Sequence, residues 1–249
     1  METITASEIR QALKDVGLAA GDVVFFQSRL HGLGMPEGKL TRDSLCSFYL
    51  DALLDVIGPD GTLVVPAFTT QVARHDEPFF VESTAPNYGL FPSYAVKRKE
   101  FIRSLHPLMS VAATGRLAEK ICRSGGAHAF GARSPFDMMV RYKAKNLFLG
   151  LDVKDAVTMA HYMEVHYGVP YLYNKVLKWR AIENNIVSDK FAIASVRYLD
   201  FNVKYGLNRL QADLDARGVV RTQPAGGGSI HMVEMDDLLE VVCDGFDKT

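Results

Sequence analysis

Short apolar runs alternate with longer amphipathic segments along most of the chain. The apolar runs have the length of buried strands, and they predict strands at residues 23–26, 62–65, 110–113 and 147–149. Apolar residues recur at helical spacing elsewhere, which predicts helices at residues 7–16, 43–56, 92–99, 117–122, 136–142, 155–167, 207–216 and 235–243. Because short buried strands separated by helices are typical of a sheet covered on both faces, the sequence predicts an α/β fold with a mixed central sheet.

The pattern changes between residues 171 and 200. Apolar side chains alternate on both sides of Asn184–Asn185, a pair typical of tight turns; they are Val176, Leu177, Trp179, Phe191, Ile193 and Val196. This pattern predicts a β-hairpin inserted into a single domain that spans residues 1–249. The hairpin has an apolar edge to cover, so we expect a homodimer.

The charge balance excludes several classes of partner. There are 28 Lys and Arg against 29 Asp and Glu, so no positive field attracts the protein to nucleic acid or to a membrane surface. No stretch approaches the roughly 20 apolar residues of a membrane span, and the N-terminus lacks the apolar core of a signal peptide. Cys46, Cys122 and Cys243 are far apart without CxxC spacing, so we expect a reduced, cytoplasmic protein.

Polar residues follow three of the predicted strands. These strand ends are Gln27-Ser28-Arg29, Ala67-Phe68-Thr69 and Leu151-Asp152. Ligands of open α/β sheets bind beyond the carboxyl ends of the strands. We therefore expect these residues to line one crevice.

The predicted helix at 155–167 carries candidate acid–base residues. Thr158, His161 and Glu164 are spaced by three, which places His161 beside either neighbour on one helix face. A histidine paired with a carboxylate is a general base at neutral pH; the alternative is a structural hydrogen bond. There is no second histidine four residues after His161, so no metal site is predicted.

A cluster of donors lies between residues 98 and 110. His106 precedes Pro107, which favours an extended backbone. With Arg103, Ser104 and Ser110 it forms a loop that suits an anionic or amide-rich ligand. A solvated basic patch beside a turn is the alternative interpretation.

The glycine-rich segment Gln223–Gly228 fits the coenzyme-binding pattern of the common GNAT acyltransferases. That pattern requires a helix directly after the glycines, whereas Ser229-Ile-His-Met-Val intervenes here. A GNAT fold is therefore not predicted. The alternative interpretation of the segment is a glycine-rich turn near a ligand.

Several segments, taken together, resemble the aminoglycoside 3-N-acetyltransferase family of the antibiotic N-acetyltransferase superfamily. They occur in the family's order and with its spacing, at residues 21–34, 58–69, 89–92, 103–113, 130–136 and 152–164. The resemblance covers roughly residues 5 to 245. It implies an acetyl-CoA-dependent transfer to a primary amine, as in antibiotic resistance, by a layered α/β/α fold unrelated to GNAT.

The resemblance also assigns site residues. His161 takes the position of the catalytic base, with Glu164 as its carboxylate partner, and no covalent enzyme intermediate is needed. The acetyl-pantetheine arm and the coenzyme phosphates would be held by Gln27, Ser28, Arg29, Gly34, Phe68, Thr69, Arg103, Ser104, His106 and Ser110.

Two positions depart from the family, which commonly has histidine where this chain has Gln27 and Met109. A glutamine donates a hydrogen bond but does not carry a proton at neutral pH, so a catalytically impaired coenzyme-binding relative stays open. The near-neutral charge shows no acidic field for a polycationic aminoglycoside, although Asp200 or Asp236-Asp237 could serve locally. The alternative acceptor is an amino sugar of surface-polysaccharide or natural-product biosynthesis, for which Tyr167, Tyr171, Tyr173 and Trp179 offer stacking surfaces.

Overall fold

A seven-stranded mixed sheet forms the centre of the computed structural model, which describes residues 3–36, 41–75 and 77–247. Its strands, from edge to edge, are β4 (Ile102–Arg103), β5 (Val111–Gly115), β2 (Thr62–Pro66), β1 (Val23–Ser28), β6 (Lys145–Leu149), β10 (Gly228–Glu234) and β9 (Arg221–Ala225). Strand β1 runs parallel to β2 and β6, and all other neighbours are antiparallel. The predicted α/β fold with a mixed sheet is confirmed.

A smaller sheet contains the predicted hairpin. Its strands are β3 (Phe79–Phe80), β7 (Leu172–Glu183) and β8 (Ile186–Arg197), with β7 and β8 antiparallel. Asn184 and Asn185 form the turn with φ values of 50° and 63°. Positive φ at both central residues is the geometry of a type I′ turn, which asparagine tolerates. The hairpin predicted around this pair is confirmed.

Nine helices connect the strands within the described residues. They are α1 (Ala6–Asp15), α2 (Arg42–Ile57), α3 (Thr70–His75), α4 (Leu90–Val96), α5 (Ala118–Cys122), α6 (Pro135–Arg141), α7 (Met159–Tyr167), α8 (Leu207–Ala216) and α9 (Met235–Asp247). Helix α4 ends before the basic residues that follow it, so the basic helix expected at 92–99 is wrong in its C-terminal part. Helix α7 begins at Met159 and not at Asp155, because a separate 3-10 turn occupies Val153–Asp155.

Alternate side chains of β1 enter two different apolar clusters. Val24 and Phe26 pack in a cluster with residues of α1, α2 and α4, whereas Val23 and Phe25 pack with residues of α5, α6, α7 and α9. Successive side chains of a strand point to opposite faces of its sheet. Each buried phenylalanine contributes roughly 1.5–3 kcal/mol, so β1 is fixed from both sides, and the residues at its carboxyl end are fixed with it.

The glycine-rich segment forms the turn between β9 and β10, a hairpin that the sequence did not reveal. Gly226 has a φ of 54°, and a Cβ atom there would lie 1.9 Å from the carbonyl oxygen of Leu33. Only glycine permits this approach. The turn therefore packs against the chain just before Gly34, which is buried and has a φ of 100°.

None of the described helices has the length and apolar character needed to cross a membrane.

Candidate active site

A cleft of about 530 Å³ opens at the carboxyl ends of the parallel strands β1, β2 and β6. Gln27, Ser28 and Arg29 line it at the end of β1, and Phe68 lines it after β2. The segment after β6 contributes Thr158. The crevice predicted from the strand ends is therefore present, with Leu151 also among its lining residues, whereas Ala67, Thr69 and Asp152 do not line it.

Gln27, one of the cleft residues, carries a buried side-chain donor that is unused. Its side chain is 5% exposed, and its Oε1 accepts a hydrogen bond of 3.2 Å from the Thr158 hydroxyl. Its Nε2 has no hydrogen-bond partner among the described residues. A buried amide donor without a partner is costly, and it is typical of a position where a ligand supplies the acceptor.

His161 and Glu164 form a close pair on α7. His161 lies in the first turn of the helix, and its Nδ1 is 2.6 Å from Glu164 Oε2. An ionised carboxylate only accepts hydrogen bonds, so Nδ1 donates to it, and in the neutral imidazole Nε2 holds the lone pair. The Glu164 residue is 3% exposed, whereas the His161 side chain is 44% exposed. The pair therefore has a buried carboxylate and an accessible imidazole.

Two tyrosines complete the environment of Glu164. The Tyr171 hydroxyl donates to Glu164 Oε1 at 2.8 Å, and the Tyr205 hydroxyl also hydrogen-bonds to this carboxylate. Burial alone would raise the pKa of Glu164, but the hydrogen bond and charge of His161 and the two tyrosine hydroxyls together hold the pKa below its ordinary value. Glu164 is consequently ionised at neutral pH, despite its burial.

Aromatic rings flank the imidazole. The rings of Phe130 and Tyr205 each lie with their centroids 5.8 Å from that of His161. The Arg197 guanidinium in turn lies 4.9 Å from the centroid of the Tyr205 ring. Tyr205 and Phe130 have no counterpart in the sequence predictions, because they come from segments distant in the chain from α7.

The loop at 103–110 holds its donors inside the protein. Arg103 is 4% exposed and donates to the carbonyl oxygens of Ala67 at 2.7 Å and Thr84 at 2.5 Å, and to the Ser110 hydroxyl at 3.2 Å. Burial lowers the pKa of Arg103 to about 10. The guanidinium joins neighbouring backbone segments and does not line the cleft.

The other polar side chains near this loop are also internally paired. Ser104 Oγ accepts from the Val111 amide at 2.9 Å, and the Ser110 hydroxyl donates to the Ala67 carbonyl at 2.5 Å. The Thr69 hydroxyl donates to the Pro107 carbonyl at 2.6 Å. These hydroxyls are bonded to backbone groups of the protein. They would have to break those bonds in order to hold a coenzyme, as the sequence predicts.

His106 is buried in the same loop and hydrogen-bonds to backbone groups. Its Nδ1 accepts from the amides of Leu108 and Met109 at 3.2 and 3.1 Å, and its Nε2 lies 3.3 Å from the carbonyl oxygen of Ile193. Burial lowers the pKa of His106 to about 4. The imidazole is therefore neutral at physiological pH and connects the loop to β8.

The structure thus divides the sequence-predicted coenzyme residues into two groups. Four line the cleft, namely Gln27, Ser28, Arg29 and Phe68. The others are buried and do not line it: Gly34 follows Leu33 beside the turn between β9 and β10, and Thr69, Arg103, Ser104, His106 and Ser110 lie in or against the loop at 103–110. No group of three or more His, Cys, Asp or Glu side chains among the described residues is arranged to hold a metal ion.

The structure combines a mixed α/β fold, a cleft at the strand ends and a histidine–carboxylate pair on α7, the helix that begins directly after the cleft residue Thr158. Residues 28–247 match the family model described as aminoglycoside 3-N-acetyltransferase. The chain belongs to the aminoglycoside 3-N-acetyltransferase family, and it is an acyltransferase of that kind. The resemblance seen in the sequence is confirmed.

Individual relatives agree with this assignment. The chain is 30% identical over 221 residues to aminoglycoside N(3)-acetyltransferase III of Salmonella sp, which covers 76% of this chain and 75% of the relative. The crystal structure of aminoglycoside acetyltransferase AAC(3)-Xa has a TM-score of 0.83 at 22% identity, covering 99% of this chain and 93% of the other. A structure of AAC-IIIb in a binary complex with CoASH has a TM-score of 0.81 at 18% identity, and the match covers 99% of this chain and 97% of the other.

The burial of His106 generates a prediction about stability. In the unfolded chain this histidine has a pKa of 6.5, whereas in the folded protein the pKa is about 4. Between these values the unfolded state binds the extra proton, so the free energy of unfolding falls as the pH decreases from 6.5 to 4, by about 3 kcal/mol at most. Urea denaturation at intervals of pH measures the slope.

A His106→Asn variant tests the assignment. Asparagine accepts from the same loop amides but does not titrate in this range, so the pH dependence should flatten. The exposed His75 provides the control, since His75→Asn should leave the slope unchanged. An equal slope in wild type and His106→Asn would contradict the prediction.

Proposed function

We propose that this protein transfers the acetyl group of acetyl-CoA to a primary amine of an aminoglycoside-type amino sugar, with His161 as the general base. The observation that carries the proposal is the 2.6 Å pair of His161 and Glu164. The Thr158–Gln27 hydrogen bond joins the start of this helix to the cleft. His161 therefore lies one helical turn from the cleft residue Thr158, although its own side chain is not among those that line the cleft.

The residues of the cleft fit the acyl donor. Acetyl-CoA supplies the acetyl group as a thioester, and the structure of AAC-IIIb, a structural relative, is a binary complex with CoASH. The free Nε2 of Gln27 and the hydroxyl of Ser28 are donors for carbonyl oxygens of the donor substrate. Phe68 offers an apolar wall, and the half-exposed Arg29 offers positive charge for the coenzyme phosphates.

His161 supplies the proton acceptor. An amine with a pKa of about 8 is mostly protonated at neutral pH and is not nucleophilic. Nε2 of His161 accepts that proton, directly or through a water molecule, while ionised Glu164 stabilises the imidazolium. Tyr171 and Tyr205 keep the carboxylate in place, so the imidazole keeps its tautomer.

The cysteines favour direct transfer over a covalent acyl-enzyme. Burial raises the pKa of Cys46 to about 11 and that of Cys122 to about 12, so both are thiols at neutral pH. None of the three cysteines lines the cleft among the residues described. The intact His161–Glu164 pair favours an active enzyme over an impaired coenzyme-binding relative, because Gln27 replaces a cleft donor and not the base.

The proposal also includes the layered fold, the single domain and the cytoplasmic location of the protein. Two apolar clusters that receive alternate residues of β1 support a layered α/β/α fold distinct from GNAT. We infer one acetyltransferase domain over residues 1–249, acting in the cytoplasm on small molecules without nucleic acid.

Removing the imidazole should remove the base. We expect His161→Ala to lower kcat by about a hundredfold or more, the range for a lost general base. Release of coenzyme A thiol at saturating acetyl-CoA measures the turnover. His161→Gln should lose a similar factor while keeping a donor near Glu164, and the exposed His75→Ala should match wild type. Turnover near wild type in a folded His161→Ala protein would remove this residue from the role.

The unused amide of Gln27 should contribute to the donor site. We expect Gln27→Ala to lower kcat/KM for acetyl-CoA by about tenfold to a hundredfold, because it deletes a buried donor. Thr158→Val separates the two bonds of this side chain, since it removes the partner of Oε1 and leaves Nε2 in place. Steady-state kinetics that show an equal loss in both variants would assign the effect to the Thr158 contact instead.

The hairpin supports a homodimer. Within the three-stranded sheet β8 is an edge strand, and Val187 and Phe191 on it are more than half exposed. Sedimentation velocity at micromolar concentration should give a dimer, and Phe191→Asp should shift it toward monomer because a charge is costly in an apolar contact. A monomer at every concentration would contradict this part of the proposal.

A further inference from the structure

Three uncharged polar side chains meet on one face of the β7–β8 hairpin. Asn174 of β7 and Ser195 of β8 are directly opposite each other in the ladder, so their side chains lie on the same face of the sheet. The Ser195 hydroxyl donates to Asn174 Oδ1 at 2.9 Å, and His128 Nε2 lies 3.1 Å from each of these two oxygen atoms. These three residues form one hydrogen-bonded group, which we call the hairpin cluster.

The hairpin cluster is connected to both sides of the catalytic imidazole. The centroid of the Phe130 ring lies 5.8 Å from that of His161, and the Phe130 amide donates to His128 Nδ1 at 3.0 Å. On the other side, the centroid of the Tyr205 ring is also 5.8 Å from that of the imidazole, and the Arg197 guanidinium lies 4.9 Å from the Tyr205 centroid. Arg197 is two residues beyond the serine of the cluster, on the same face of β8. The hairpin cluster therefore belongs to the surroundings of the base.

The hydrogen bond from the Phe130 amide determines where the protons of the cluster lie. A backbone N–H only donates, so His128 Nδ1 is the acceptor, and in the neutral imidazole the proton is on Nε2. Because Nε2 then donates, the nearest side-chain atom of Asn174 has to be an acceptor. That atom is the carbonyl oxygen Oδ1, since the amide nitrogen would place one N–H against another. A bond to the main chain thus fixes the orientation of the Asn174 amide.

The same arrangement excludes a nucleophilic role for Ser195. A serine nucleophile needs an imidazole nitrogen with a free lone pair to take its proton. The nitrogen of His128 that faces Ser195 carries a proton instead. The serine and the histidine therefore hold Asn174 in place and form no catalytic centre of their own.

Asn174 keeps two donors that the protein does not use. Its Oδ1 accepts from both partners in the cluster, whereas its Nδ2 forms no hydrogen bond with any described residue. The residue is exposed, so a ligand can reach this nitrogen. A side chain that is already oriented loses little conformational freedom when a ligand binds. Nδ2 is therefore a preorganised donor on the hairpin side of the base.

The partner that matches this donor is an uncharged oxygen atom. An amide N–H binds a hydroxyl oxygen and has no attraction for an ammonium group. An aminoglycoside-type acceptor carries both kinds of group, so the contact selects its hydroxyls. The contact does not depend on the net charge near the base, where Arg197 and Lys204 are offset by Asp200 and by the ionised Glu164.

We propose that Asn174 is a specificity-determining residue that binds a hydroxyl group of the acceptor, with His128 and Ser195 as its positioning residues. The hydroxyl belongs to a different ring of the acceptor from the one whose amine reaches His161 Nε2, because aromatic side chains lie between the hairpin cluster and the imidazole. The inference rests on the proposed acetyl transfer, since it concerns the acceptor of that same site.

The test compares three acceptors that share a 2-deoxystreptamine ring. Kanamycin B carries two amino-hexose rings on it, neamine lacks one of these rings, and dibekacin lacks both hydroxyls of the other. KM and kcat are measured at saturating acetyl-CoA for the wild type and for Asn174→Ala. We expect the variant to raise KM for kanamycin B by about threefold to tenfold and to keep kcat within about twofold, because a contact remote from the reacting atoms is made equally in the ground and transition states. The increase should vanish for at least one of neamine and dibekacin, namely the acceptor that lacks the partner hydroxyl.

Two further variants separate recognition from a general effect on the hairpin. Ser195→Ala removes one of the two bonds that orient the Asn174 amide, so it should raise the same KM by a smaller factor and with the same acceptors. Lys175→Ala is the matched control, because Lys175 is the next exposed residue of β7 and its side chain lies on the opposite face. It should match the wild type, and KM for acetyl-CoA should be unchanged in all three variants.

The contrary outcomes are distinct. An equal increase in KM for all three acceptors, an unchanged KM for kanamycin B, or a loss confined to kcat would overturn this inference and leave acetyl transfer standing. A wild-type protein that acetylates none of the three acceptors would overturn the proposed function itself.

Discussion

The charge of one buried carboxylate, that of Glu164, constrains the structure around it. A buried carboxylate is stable only when hydrogen bonds replace its lost hydration. Its partners come from three segments: His161 from α7, Tyr171 from the turn before β7, and Tyr205 from the loop before α8. Tyr171 directly precedes β7, and Tyr205 follows the end of β8 by eight residues. The base of the hairpin is thereby anchored to Glu164. Arg123 fixes the other end, since it pairs with Glu183 beside the turn and donates to the carbonyl oxygen of Arg103 in β4.

The same requirement explains the loop at 103–110. Arg103 and His106 are buried, and each is satisfied by backbone groups of neighbouring segments. A side chain whose donors are already used inside the protein cannot bind a ligand without breaking those bonds. The loop therefore acts as a rigid frame for the sheet edge. In the proposed function, ligand binding in the cleft would then depend on the few groups without a partner inside the protein, above all Gln27.

Local signals in the sequence predicted most of the fold. Strands β1, β2, β5 and β6 and the turn at Asn184–Asn185 follow from apolar runs and turn residues close together in the chain, whereas β9 and β10 were not predicted. The two-residue strands β3 and β4 have no such signal, because their pairing is set entirely by distant partners. The start of α7 was placed four residues early, since the polar residues of the 3-10 turn at Val153–Asp155 also suit a helix N-terminus.

In the site, too, contacts within one helix could be predicted, whereas contacts between distant segments could not. The His161–Glu164 contact could be predicted because three residues on a helix bring two side chains together. Arg103 could not be placed, because a basic residue beside a turn is usually solvated, and only the fold brings the carbonyls of Ala67 and Thr84 to it. Tyr205 could not be predicted for the same reason, as it lies 41 residues after Glu164 in the chain.

Gln27 connects these observations. Its Oε1 is occupied by Thr158 and its Nε2 has no partner among the described residues, so the side chain is oriented by the start of α7 and keeps one buried donor unused. A histidine at this position would offer a titratable ring, whereas glutamine offers a donor whose state does not change with pH. In the proposed mechanism, proton transfer is therefore left to His161, which is held by Glu164. We infer that glutamine at position 27 affects how the cleft holds a ligand and does not affect the His161–Glu164 pair.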